Sequence, residues 1–117
     1  MIQPGTIAKV CDKTGVILVQ CIKVLGPIKK RIACIGDIII VTVKHINTRK
    51  FRKMKYAKKK KFFLGTLHRA LVVRTKEQFS RSLGIYIRFN ENAVVIVNKR
   101  IVPISNRIFG PILRDYV

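Results

Sequence analysis

Short runs of β-branched apolar residues, interrupted every few positions by turn formers, limit the folds open to this chain more than any other feature. Ile and Val dominate the apolar set, and branched Cβ atoms suit a pleated surface better than a helix. The pattern predicts strands over residues 6–11, 16–25, 37–44, 70–75, 85–89 and 93–97. Between them stand Asp12-Lys13-Thr14-Gly15, Gly26-Pro27, Gly36-Asp37 and Asn90-Glu91-Asn92, residue types that reverse a chain cheaply. In Ile85-Tyr86-Ile87-Arg88-Phe89, residues 85, 87 and 89 share one face and Tyr86 and Arg88 the other. Residues 16–19 and 38–41 are continuously apolar, which predicts strands covered on both sides. Many short strands with close turns and no long helical period predict a mainly all-β chain, folded as a small closed barrel. Closure also removes open edges that would otherwise aggregate.

Two segments break the strand rhythm. Residues 49–61 form a basic run with Phe51 and Tyr56 interleaved, followed by Phe62-Phe63-Leu64. Residues 99–117 contain Pro103 and Pro111 and read as loop with short helical turns. The 117 residues suit one domain, 1–117, and a hydrophobic share of 49% separates the chain from disordered basic tails. No apolar run approaches the roughly 20 residues of a membrane-spanning helix, so no membrane association is expected. Met1 leads directly into patterned sequence, which predicts neither a signal nor a transit peptide.

Charge decides the class of partner. Twenty-five Lys and Arg against five Asp and Glu give a formal net charge of +20. Such an excess repels itself in a compact body and is sustained by a polyanion. Nucleic acid fits, because each neutralised phosphate releases condensed counterion and supplies affinity without sequence preference. Catalysis is poorly served. Asp12, Asp37, Glu77, Glu91 and Asp115 are scattered, away from each other and from either histidine, and no GxSxG, P-loop or GxGxxG motif is present. Cys11, Cys21 and Cys34 are odd in number and never at CxxC spacing, and neither His45 nor His68 has a second ligand at metal spacing. No cofactor, metal or disulfide framework is expected, and the cysteines read as small buried hydrophobes.

The basic residues fall in turns, tips and the insertion. Candidate RNA contacts are Lys29, Lys30 and Arg31 after Gly26-Pro27, then Lys44, Arg49, Lys50, Arg52, Lys53, Lys55, Lys58, Lys59, Lys60 and Lys61. Arg74, Lys76, Arg81 and Arg88 surround an expected hairpin, and Lys99 and Arg100 follow the last strand. Basic tips around an apolar barrel suit docking on folded RNA through shape and phosphate contact. A charge run can also be merely solvated, but here it is interleaved with aromatics in a chain already strongly cationic. Phe62-Phe63-Leu64 reads as an anchor onto the barrel or a neighbour rather than a base-stacking platform.

A family resemblance enters at ordered stretches. They are Met1-Ile2-Gln3 with Thr6, Val10 and Gly15; Cys21-Ile22-Lys23-Val24-Leu25-Gly26; and Gly36-Asp37-Ile38-Ile39 with Val41-Thr42-Val43-Lys44. Ala70-Leu71-Val72-Val73-Arg74-Thr75-Lys76 follows, with a spacer to Gly84 and then Ile87-Arg88-Phe89, Asn92-Ala93 and Val95. Arg107-Ile108-Phe109-Gly110-Pro111 and Arg114 close the set. Together they resemble the universal large-subunit ribosomal protein family L-fourteen. The resemblance implies a five-stranded β-barrel with a projecting hairpin and a C-terminal loop with short helices. It also implies binding to large-subunit rRNA, neighbours of the L-three and L-nineteen families, and a bridge to small-subunit rRNA across the subunit interface. In bacteria and organelles a ribosome-silencing factor can occupy that face. Asn106, Arg107 and Arg114 are the corresponding bridge or factor-face candidates.

The chain departs from the family pattern at Leu83, where Asp, Asn or Ser usually precedes the glycine. The 46–68 insertion is longer and richer in lysine than usual, and is expected to reach extra RNA or to substitute for an interaction missing elsewhere. The sequence stops soon after Arg114, where a helical tail usually continues, so the contacts of that tail are expected to be lost or supplied by another protein. The Ile, Lys, Asn and Phe bias suggests an AT-rich coding genome and a mitochondrial ribosome, ahead of a plastid or a bacterial cytoplasm. A free RNA-binding factor or RNA chaperone that exchanges on ribosomes is the rival reading, and an RNA-modifying enzyme the weakest.

Overall fold

The computed structural model describes residues 2–26, 32–47, 49, 63–77, 79–80, 84–104 and 107–112. Within them the chain forms strands β1 (Ile7–Val10), β2 (Val16–Val24), β3 (Ile38–Ile46), β4 (Leu67–Arg74), β5 (Phe79–Ser80), β6 (Tyr86–Ile87) and β7 (Ala93–Val97). A closed barrel runs β1-β2-β3-β4-β7, and β5 and β6 form a separate two-stranded sheet. All the barrel pairs are antiparallel except β1 with β7, which closes the barrel in parallel through Lys9 opposite Ala93 and Val10 opposite Val94.

Period-two alternation fills the barrel. Along β3, Ile39, Val41 and Val43 point inward and are essentially solvent-free, meeting Val19 and Cys21 from β2, Ala70 and Val72 from β4, and Val94 and Ile96 from β7. Each such aliphatic side chain contributes about 1.5–3 kcal/mol by leaving water. The alternate residues Ile38, Ile40 and Thr42 are only half-buried, and Leu18 and Lys44 are exposed. The expectation that residues 16–19 and 38–41 are covered on both faces therefore fails. In β2 and β3 one face packs inward, and the apolar residues of the other line a partly open wall. It is β7 that is buried at every position. Its outward residues Ala93 and Val95 join Cys11 and Val73 in a second cluster, roofed by Leu71, Ile108 and Ile112.

Asp12 locks the turn after β1. Its Oδ1 accepts from the Thr14 amide (3.1 Å) and hydroxyl (2.6 Å), while Oδ2 accepts from the Ile96 amide of β7 at 3.0 Å. A buried carboxylate with three donors is satisfied, and it joins a local turn to a strand far away in sequence. Gly15 takes φ 94°, the left-handed conformation that completes the reversal.

The expected C-terminal loop is described only in part, since residues 105–106 and 113–117 lie outside the described residues. Residues 99–104 and 107–112 show turns and isolated bridges, Val97 with Pro103 and Asp12 with Ile108, and no helical turn. Boundaries also move. β4 begins at Leu67 rather than residue 70, so the end of the expected insertion belongs to the barrel, and the hairpin strand β6 is shorter than residues 85–89.

Candidate nucleic-acid interface

Strand directions sort the basic residues onto two ends of the barrel. The β1–β2 turn, the β3–β4 connection and the stretch after β7 leave one end of the barrel, and the Asn47 amide ties the first two by donating to the Gly15 carbonyl at 2.8 Å. Lys44 and Arg49 are exposed where the basic insertion departs, and Lys99 and Arg100 are exposed just beyond β7. The insertion candidates Lys50, Arg52, Lys53, Lys55, Lys58, Lys59, Lys60 and Lys61 lie outside the described residues.

The 98–102 turn is held firmly. The Asn98 Oδ1 accepts from the Arg100 amide (2.9 Å) and the Val102 amide (3.1 Å), and the Asn98 amide donates to the Val102 carbonyl at 3.0 Å. Ile101 takes φ 63°, a left-handed conformation costly for a β-branched residue. The side-chain amide thus fixes a strained turn that carries two cations at its tip.

At the other end, Lys76 and Arg88 are exposed beside the β5–β6 hairpin. The Lys76 amide donates to Asn92 Oδ1 at 3.0 Å, and the Phe89 amide to the Thr75 carbonyl at 3.1 Å, which ties the hairpin base to the barrel. Lys29, Lys30, Arg31 and Arg81 lie outside the described residues, as do Asn106 and Arg114. Sequence reasoning passed over Lys9, Lys23 and Arg69, exposed cations on the barrel wall. For Lys9 and Arg69 the odd-even position within an apolar strand was the available signal, while Lys23 has the parity of buried Val19 and Cys21 and faces outward because the register shifts after Cys21.

Arg74 does not sit where a phosphate contact would. It is 7% exposed, its Nη1 lies 2.9 Å from Glu91 Oε1, and its Nη2 donates to the Phe109 carbonyl at 3.2 Å. A β-bulge is responsible. Val72 pairs with Val94 and Arg74 with Ala93, leaving Val73 as the extra residue. Strict alternation would turn Arg74 into the core beside Val72; the bulge places it with Val73 on the outer side. There it anchors residues 107–112 against the barrel.

That segment is the described part of the expected bridge face. Ile108 and Ile112 pack on the outer cluster, and the Phe109 amide donates to the Cys11 carbonyl at 2.6 Å. Gly110 takes φ 86°, and a Cβ there would lie 2.6 Å from Arg74 Nη1. Only glycine fits both the conformation and the approach. Outside the anchor, Arg107 is exposed and its guanidinium lies 5.3 Å from the centre of the Phe109 ring, within cation–π range.

The acids leave this surface cationic. Asp12 is consumed by the turn, Asp37 accepts from the Cys34 amide at 2.7 Å, and Glu91 pairs with Arg74 and, at 3.6 Å, with Lys9. Burial pushes the Cys11 and Cys21 thiols above their ordinary value, with the Arg74 guanidinium opposing the rise at Cys11. Neutral thiols are poor nucleophiles and poor metal ligands. Among the described residues no three His, Cys, Asp or Glu side chains form a group that could hold a metal ion. The arrangement offers cationic tips at both ends of a rigid body and a pinned segment presenting Arg107. A family model described as Ribosomal protein L14p/L23e matches the chain over residues 1–117.

Proposed function

From its membership of the ribosomal protein L14p/L23e family, which makes it a structural protein of the large ribosomal subunit and not a member of an enzyme family, we propose that this chain binds large-subunit rRNA through its basic tips and contributes to the intersubunit bridge. The observation that carries the reading is the distribution of charge. A net +20 surrounds a closed apolar barrel whose described acids are mostly engaged internally. Exposed Lys44, Arg49, Lys99 and Arg100 flank the insertion at one end, and Lys76 and Arg88 stand at the other. Two cationic ends on one rigid body allow RNA segments that would repel each other to approach together.

Arg107, supported by the Arg74 anchor, is the described candidate for the bridge face, with Asn106 before it and Arg114 further along the same stretch. Neighbouring proteins of the L-three and L-nineteen families and a silencing factor belong to the same reading through the family. The coding bias toward Ile, Lys, Asn and Phe favours a mitochondrial ribosome.

Replacing Lys58, Lys59, Lys60 and Lys61 together with Ala tests the RNA contact. The slope of log K against log salt should flatten by roughly 0.7–0.9 for each phosphate no longer neutralised. An unchanged slope would exclude the run from the interface.

A further inference from the structure

One groove on the barrel wall remains outside the RNA reading. It encloses about 450 Å³ between β3, β4 and the end of β7, with Ile40, Leu67, Val97 and Ile104 as its apolar lining and Arg69 and Lys99 at its polar edge. Leu67 is 62% exposed, and Ile101 and Val102 beside the groove are each more than half exposed. We infer that this groove receives an extended protein segment that inserts aliphatic side chains and meets the cations with carboxylates.

The lining selects against RNA. Unpaired bases are held by stacking on aromatic faces or on guanidinium planes set parallel to them, whereas this lining is mostly aliphatic and its one ring, His68, is held by the Thr66 hydroxyl at 3.0 Å. Exposed aliphatic surface bordered by charge is instead the mark of a protein contact. The lining residues include Arg69, Lys99 and His68 but no acid, so complementary charge on the occupant is negative. The volume suits a few side chains rather than a globular face.

Two features of the fold fix how the segment is held. The barrel is closed, so β3, β4 and β7 offer no free edge for an added strand, and recognition must run through side chains. The strained Ile101, fixed by the Asn98 amide, holds exposed Ile101 and Val102 next to the apolar lining. A β-branched residue kept at positive φ by a side-chain lock is the kind of local cost that persists where a surface has a task.

The test is a methyl NMR titration of the full chain at physiological salt with three probes. One is a short synthetic peptide carrying leucines among glutamates, the second replaces those leucines with serine, and the third is a short duplex RNA. The expected result is saturable shifts at the Ile40, Leu67 and Ile104 methyls with the first peptide. They should be absent with the serine peptide and weakened about tenfold or more by Leu67→Glu. Both peptides carry equal charge, so nonspecific attraction to a +20 chain cancels. Equal shifts with the two peptides, or no response to Leu67→Glu, would overturn the inference. Shifts of the same methyls by RNA, abolished in Leu67→Glu, would also overturn it and assign the groove to RNA. Salt dependence through the Lys58–Lys61 run is read separately, so failure here leaves the RNA reading standing.

Discussion

Arg74 and Glu91 form an ion pair, Nη1 to Oε1 at 2.9 Å, that joins the end of β4 to the loop before β7 while the same guanidinium holds the Phe109 carbonyl. The pair is asymmetric. The Arg74 side chain is 9% exposed and that of Glu91 36%. Removing Glu91 strands a buried cation, whereas removing Arg74 leaves a carboxylate that water can reach. Glu91→Ala should therefore cost more than Arg74→Met, about 2–3 against about 1–2 kcal/mol, both discounted for the exposure of Glu91. Urea unfolding of the two variants checks the order, and the reverse order would show that Arg74 acts mainly through packing.

Gly110→Ala should destabilise by about 1–3 kcal/mol, because alanine must hold a left-handed φ and its Cβ meets the Arg74 guanidinium. Hydrogen exchange gives the more specific reading. The Phe109 amide, donated to Cys11 at 2.6 Å, should lose protection while the β3 amides keep theirs. Uniform loss across the barrel would mean that the segment is not separately anchored.

Asp12→Ala should be among the most damaging single changes, about 2–4 kcal/mol, since it leaves the Ile96 and Thr14 amides without their acceptor inside the fold. Chemical denaturation should show a lower midpoint at an unchanged slope. A change within about 0.5 kcal/mol would contradict the role given to this turn.

The buried thiols predict a pH dependence. Folding raises the Cys11 and Cys21 pKa values above 9.0 through burial, so the neutral thiol is favoured in the native state. Their contribution is whole below the unfolded-chain value and is lost as pH rises toward the raised native value. Above pH 9 the native chain should therefore lose stability faster than a Cys11→Ala, Cys21→Ala variant. Parallel curves for the two proteins would show that the thiols ionise as easily folded as unfolded. Alkylation at neutral pH should meanwhile reach half-buried Cys34 before either of the others.

Much of the fold was legible because local signals agreed with each other. The 93–97 run coincides with the observed strand, and Asp12-Lys13-Thr14-Gly15 forms the turn its residue types predict. What escaped had nonlocal causes. Arg74, at the end of an apolar strand and before a hairpin, reads as an exposed cation. A bulge against Ala93 and the return of Phe109 bury it, and neither leaves a mark near position 74. The two-sided burial expected of residues 38–41 failed because continuous apolarity says nothing about what lies outside the barrel. The 107–112 segment covers the outside of β7 and leaves Ile38 and Ile40 half open. Lys9 and Arg69 were within reach, since alternation alone sets them on the outer wall, whereas Lys23 shares the parity of Val19 and Cys21 and is turned outward by the register shift after Cys21.

That this chain is an integral part of the large subunit is tested most directly by sedimenting a native lysate through a high-salt gradient. Salt releases a purely electrostatic binder, while a packed and bridged component stays. Co-migration with the large subunit is the predicted result. Recovery at the top of the gradient, with intact large subunits that lack the chain, would contradict the account and favour an exchanging RNA-binding factor.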